Sequence, residues 1–127
     1  MKPSKEEQIH ALLTGKAYEL AIKTLNVHDM SEHQYEEVFT VTREDIDDYV
    51  RLHGVPMDRV ITEADGGEGI HFIRQNGMWL VYWWERGEKW AETKHRTEKG
   101  AIQGLVNFLL DRTATGINYT KRRFYRS

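Results

Sequence analysis

Two aromatic-rich apolar runs that meet at Asn76-Gly77 constrain this chain more than any other feature. The stretch from Ile70 to Trp84 reads Ile-His-Phe-Ile-Arg-Gln-Asn-Gly-Met-Trp-Leu-Val-Tyr-Trp-Trp. An Asn-Gly pair between such runs specifies a two-residue hairpin, because a type I′ turn needs positive φ at both central positions. The register follows from the turn: Arg74 faces Trp79, Phe72 faces Val81 and Ile70 faces Trp83. One face then carries Ile70, Phe72, Trp79, Val81 and Trp83, and the other His71, Ile73, Gln75, Met78, Leu80, Tyr82 and Trp84. Both faces are largely apolar, so the hairpin is predicted to be a central strand pair covered on each side.

Around the hairpin the chain reads as follows. Ser4 and Glu7 have capping-box spacing, and Ile9, Leu12, Leu13, Ala17, Leu20 and Ala21 continue one apolar stripe, which predicts a helix from Ser4 to about Thr24 with Gly15 at a close packing contact. Ser31 and Gln34 repeat that spacing ahead of an extended Val38-Val41. Thr42 caps a second helix with Glu44 and Asp45 in its first turn, which Gly54 closes and Pro56 prevents from continuing. A strand from Arg59 to Ala64, a turn at Asp65-Gly66-Gly67, the hairpin, a turn at Glu85-Glu88 and a strand from Lys89 to His95 make a sequential antiparallel meander of four strands. Thr97 caps a last helix whose Ile102, Leu105, Val106 and Leu109 lie on the sheet. The expected architecture is α+β: N-terminal helices, a four-stranded antiparallel meander sheet and a C-terminal helix packed on it, with a single domain over 1–111 and a basic tail over 112–127. Ile117, Tyr119, Phe124 and Tyr125 offer apolar groups that can tack this tail to the body.

At 127 residues the chain is long enough to bury about two-thirds of its unfolded surface around one core. It has no cysteine, which excludes disulfides, thiolate metal sites and a cysteine nucleophile. No apolar run approaches the roughly 20 residues of a membrane span, and the polar start lacks a signal-peptide core, so a cytoplasmic location without membrane contact is expected. The formal net charge of −2 hides a strong asymmetry. Eight acidic residues lie between Asp29 and Asp48 against one base, Arg43, whereas Arg112, Lys121, Arg122, Arg123 and Arg126 follow Asp111 with no acid among them.

Each candidate site has a plainer structural reading. His28, Asp29 and His33 lie close in sequence but lack metal-ligand spacing on a helix, so they read as solvated loop residues, and neither a metal nor a cofactor is expected. His71, Tyr82 and His95 are predicted to meet on one sheet face, either as an acid–base group or as a half-buried histidine bonded to tyrosine. Gly66-Gly67-Glu68-Gly69 precedes a strand, so it lacks the helix N-terminus that would hold a phosphate and reads as a turn. Ser4, Ser31 and Ser127 sit at caps or the terminus, which argues against a serine hydrolase. Trp79 and Trp83 read as core, while Trp84 or Trp90 is expected to be partly exposed, the composition of a binding hot spot. The acidic tract reads as a solvated helix face or as a patch that steers a basic partner.

From Gly77 to Leu110 the chain resembles a group of small bacterial immunity proteins encoded beside polymorphic or contact-dependent growth-inhibition toxins. The matching residues are Trp79, Val81, Tyr82 and Trp83, then Glu85-Arg86-Gly87, then Thr97-Glu98, Ala101 and Leu109; His95 stands where that pattern has phenylalanine. The resemblance implies an antitoxin, not an enzyme, that binds a cognate toxin domain in the cytoplasm. The residues expected to touch the toxin come from charge and exposure: Glu36, Glu37, Glu44, Asp45, Asp47, Asp48, Trp84 and Trp90. An acidic surface points to a nuclease as the partner, blocked by occlusion and charge complementarity, with no direct contact to nucleic acid. The alternatives are a small enzyme using His71, Tyr82 and His95, and a nucleic-acid-binding module using Lys121, Arg122, Arg123 and Arg126. Oligomeric state is not legible.

Overall fold

A computed structural model describes residues 2–119 as an α+β protein with four helices and one four-stranded sheet. The chain falls into two compact units: the stretch up to Val55 together with the chain from Leu109, and the continuous segment Pro56–Phe108.

The first unit contains α1 (Lys5–Thr14), α2 (Ala17–Leu25) and α3 (Arg43–His53). Ser4 caps α1 through the expected box, with its hydroxyl accepting from Glu7 N and Glu7 accepting from Ser4 N. The stripe is not one helix, however. Gly15 takes a left-handed conformation at φ 77° and ends α1, and a second helix starts at Ala17. Gly15 therefore acts as a stop signal, because glycine enters that region without the strain a side chain would bring. After Ser31 there is one short 3-10 turn, Tyr35–Glu37, whose capping box joins Gln34 to Glu37. Val38, Phe39 and Val41 follow as buried anchors without a strand. α3 begins at Thr42 and ends at Gly54, where φ is 78°. Ile9, Leu12, Leu13, Ala17, Ala21 and Ile46 are buried, each worth about 1.5–3 kcal/mol for a large apolar side chain and less for alanine. Gln8, also buried, clamps α1 to the irregular segment: its Oε1 accepts from Thr40 N at 2.8 Å and Val41 N at 3.2 Å.

The second unit holds β1 (Val60–Ile61), β2 (Gly69–Gln75), β3 (Met78–Glu85), β4 (Glu88–His95) and most of α4 (Glu98–Asp111). The strands lie in sequence order, but the sheet is mixed: β1 runs parallel to β2, with Val60 beside Ile70 and Ile61 beside His71. The expected all-antiparallel meander is thus wrong at its first strand. A parallel pair normally needs a crossover of a dozen residues or more, yet here the chain returns through Thr62–Glu68. Two features accompany this short connection. β1 is only two residues long, and Gly66 lies so close to Ile61 that a Cβ would collide with its side chain. The central hairpin has the predicted register, and Asn76 and Gly77 both have positive φ, 54° and 79°. Arg86-Gly87 repeats that turn between β3 and β4, at φ 53° and 76°.

β4 carries a bulge. Its pairing runs Glu85–Glu88, Trp84–Lys89 and Trp83–Trp90, then slips by one residue to Val81–Thr93, Leu80–Lys94 and Trp79–His95. Ala91, at φ 55°, absorbs the extra residue. Thr97 caps α4 by accepting from Gly100 N at 3.0 Å. Gly104 of α4 lies directly against the His95 ring, which places the helix over the sheet face that carries Thr93 and His95. On the opposite face Ile73, Leu80 and Tyr82 form a buried cluster flanked by Met78 and Trp84.

Of the expected basic tail, the part up to Tyr119 is described. Thr115 and Tyr119 are buried in it. Lys121, Arg122, Arg123, Phe124, Tyr125, Arg126 and Ser127 lie outside the described residues.

Candidate functional site

The acidic residues gather on α3, and most are tied to local structure. The Asp45 carboxylate accepts from Thr42 N at 2.9 Å in the capping box and lies 3.4 Å from Lys5 Nζ. The Thr42 backbone N–H, followed by Lys5 and the Thr42 hydroxyl, holds its pKa below the ordinary value. Asp47 accepts from Nε of Arg43 at 2.8 Å, and Arg43 itself is buried, with its Nη1 donating to the Tyr119 carbonyl at 3.3 Å. Asp48 pairs with Arg51 one turn on. Compensation in this tract therefore comes from arginines at i−4 and i+3 and from Lys5. Glu44, Asp45, Asp47, Asp48 and Arg51 line a shallow polar cleft of about 420 Å³.

Glu37 is occupied as a cap: Gln34 N donates to it at 2.8 Å, and His33 lies 3.1 Å away. The Gln34 N–H first and His33 second lower its pKa. Glu36 is exposed and sits near Tyr119, whose phenol is pushed up to about 12 by burial first and by Glu36 second. Of the six carboxylates expected to face a partner, Glu44 and Asp48 are the most exposed on α3, while Asp45 and Asp47 are half-buried.

None of the four tryptophans is fully buried. Trp79, Trp83 and Trp84 are half-buried, so Trp79 and Trp83 are not the core residues the sequence implied. Trp83 Nε1 instead donates to Glu85 at 2.9 Å. Trp84 packs against the Ile73–Leu80–Tyr82 cluster. Trp90, on the edge strand β4, is 53% exposed.

The histidines do not converge. His71 stacks on Tyr82 with centroids 4.8 Å apart and planes within 9°, and Lys89 Nζ lies 4.9 Å from the same ring. His95 is on the other face, hydrogen-bonded through Nε2 to Thr93 at 2.9 Å. The bulge causes this separation. An unbroken pairing from Glu85–Glu88 would set His95 opposite Met78, on the face of His71; one extra residue moves it opposite Trp79. The predicted His71–Tyr82–His95 cluster is thus reduced to a His71–Tyr82 pair. The Nδ1 of fully buried His71 lies 3.0 Å from the Gly69 carbonyl. A carbonyl only accepts, so Nδ1 is the donor in this contact, and Nε2 has no partner among the described residues.

No group of three or more histidine or acidic residues among the described residues is placed to hold a metal ion. Asp29 accepts instead from the Ser31 hydroxyl and N–H, at 2.7 and 3.0 Å. Among the described residues no helix is long and apolar enough to cross a membrane. Sequence reasoning missed two polar residues that organise the first unit, Gln8 and Arg43. Their only signal is a polar side chain inside an otherwise apolar stripe. Comparison with protein families, with curated proteins and with solved structures finds no match for this chain.

Proposed function

We propose that the protein is an immunity protein that binds a cognate toxin domain in the cytoplasm and blocks it by occlusion, with α3 as the contact surface and no chemistry of its own. The observation that supports this reading is the fixed placement of the carboxylates on α3. Asp45, Asp47 and Asp48 are held by a cap and two arginines, and Glu44 and Asp48 face solvent. Carboxylates that are already ordered lose little side-chain entropy when a basic surface closes on them, and their field steers the encounter. The resemblance over Gly77–Leu110 to immunity proteins points the same way, and an acidic contact surface fits a nuclease, whose substrate cleft is basic. On the sheet unit, Trp90 is an exposed aromatic suited to anchor a partner.

The test is a titration of the purified protein against nuclease toxin domains encoded beside its gene, with activity and association rate as readouts. One-to-one inhibition is expected, with an association rate that falls steeply with salt and drops further in the E44Q/D48N variant while thermal stability changes little. A protein that leaves every such domain active refutes the assignment.

A further inference from the structure

α1 and α2, joined only by Gly15 and Lys16, leave an open groove of about 440 Å³ between them. Ala11 and Leu20 supply its apolar floor. Its two flanks differ in charge. Glu6, Glu7 and His10 stand on the α1 side, and Lys16 and Lys23 on the α2 side with Glu19 between them in sequence. All six of these residues are exposed. Little of their charge is used within the chain. Lys16, Glu19 and Lys23 make no ion pair among the described residues. Glu7 gives one carboxylate oxygen to the Ser4 cap, and Glu6, though 3.7 Å from His53, keeps its side chain 75% exposed.

We propose that this groove is where two copies of the chain associate. An apolar floor suits many partners, but flanks of opposite sign select among them. A second copy already carries the complement of both flanks. A two-fold axis running along the groove lays α1 of each copy over α2 of the other. Glu6 and Glu7 then meet Lys16 and Lys23 of the second copy, Glu19 falls on the flank that carries His10, and the two floors of Ala11 and Leu20 close on each other. Every such contact occurs twice. The aliphatic stems of the lysines extend the apolar floor while their ammonium groups stay at the rim. Helices of ten and nine residues are each about 15 Å long, and packed side by side they make a face about 20 Å wide. Two such faces bury less than the roughly 1,200 Å² of a standard interface, so the dimer belongs to the weak, transient class. It forms away from α3 and does not rest on the toxin reading.

Sedimentation of the native chain from about 10 μM to about 1 mM tests the proposal, a range matched to weak association. A dimer fraction that rises with protein concentration and falls with added salt is expected. Two charge-reversed chains supply the second leg. K16E/K23E makes the whole face acidic, and E6K/E19K makes it largely basic; neither touches the capping box or a buried side chain. Each alone should self-associate about tenfold or more weakly than the native chain, because every lost exposed pair counts twice and is replaced by repulsion. An equimolar mixture of the two should dimerise at least as well as the native chain, which also shows that both are folded. A native chain that stays monomeric throughout overturns the proposal. So does a dimer that survives both reversals undiminished, or a mixture that remains monomeric.

Discussion

Gly104 in the second turn of α4 gives the sharpest test of how the helix meets the sheet. A Cβ there would lie 2.6 Å from His95 Nε2, 2.9 Å from Cε1 and 3.5 Å from Thr93 Oγ1. Ordinary contacts to a methyl group are nearer 3.5–4 Å, so the ring must retreat by almost 1 Å. The His95–Thr93 hydrogen bond at 2.9 Å resists that movement. In an isolated helix, glycine to alanine stabilises by about 1 kcal/mol. Against this, overpacking costs about 1–3 kcal/mol and the strained hydrogen bond about 1 kcal/mol more. G104A is therefore expected to destabilise the protein by about 1–3 kcal/mol, the reverse of its helix propensity. In an H95A background the obstacle is gone, and the same substitution should stabilise by about 1 kcal/mol. Urea unfolding followed by tryptophan fluorescence measures both legs, and the four tryptophans between residues 79 and 90 report on the affected sheet. The sign reversal is the diagnostic. If G104A stabilises both backgrounds equally, the His95 ring turns aside freely and the close approach described here has no energetic content.

Two further outcomes follow from α3. R43A leaves Asp47 half-buried without its cation and frees the Tyr119 carbonyl, so a loss of about 3 kcal/mol is expected by chemical denaturation; R43M/D47L, which removes both charges, should recover most of it, and an equally unstable double variant would contradict the pairing. Asp45 has a lowered folded pKa, so the stability it contributes is full above its unfolded value of 3.8 and is lost as pH falls from there through the folded value. The urea midpoints of the native chain and D45N should accordingly differ at neutral pH and converge in acid, whereas a constant offset across that range would show that ionisation of Asp45 is not the cause.

The parts of the fold legible in the sequence are those fixed by short-range chemistry. Asn76-Gly77 determined a register that no neighbour altered, and Thr42 with Gly54 bounded α3 because a cap and a left-handed stop act within one turn. Gly15 was ambiguous for the opposite reason: a glycine inside an apolar stripe is equally compatible with a long helix and with a break, and only the tertiary path decides. The bulge at Ala91 had no local signal, since alanine is not a residue expected at positive φ, and its consequence was large. One unannounced residue moved His95 through the sheet and dissolved the predicted histidine pair. The parallel direction of β1 had no such local signal, and the close approach of Gly66 to Ile61 in the chain that returns to the sheet is a contact spacing alone does not reveal. The acidic patch was legible as composition, but the arginines that hold it were not, because Arg43 acts from inside the core.

The first unit is assembled from the two ends of the chain, with Pro56–Phe108 emerging between them during synthesis. The middle unit is one unbroken segment containing every strand among the described residues, so its strand partners all lie within one continuous stretch of chain. The first unit has no such independence. Arg43 waits through 76 further residues for the carbonyl that receives its Nη1 hydrogen. Until then the buried guanidinium of Arg43 holds Asp47 through Nε but lacks the Tyr119 carbonyl. A chain truncated before Tyr119 therefore keeps all four strands of the described sheet, while Arg43 of the acidic helix loses the carbonyl that receives its Nη1 hydrogen.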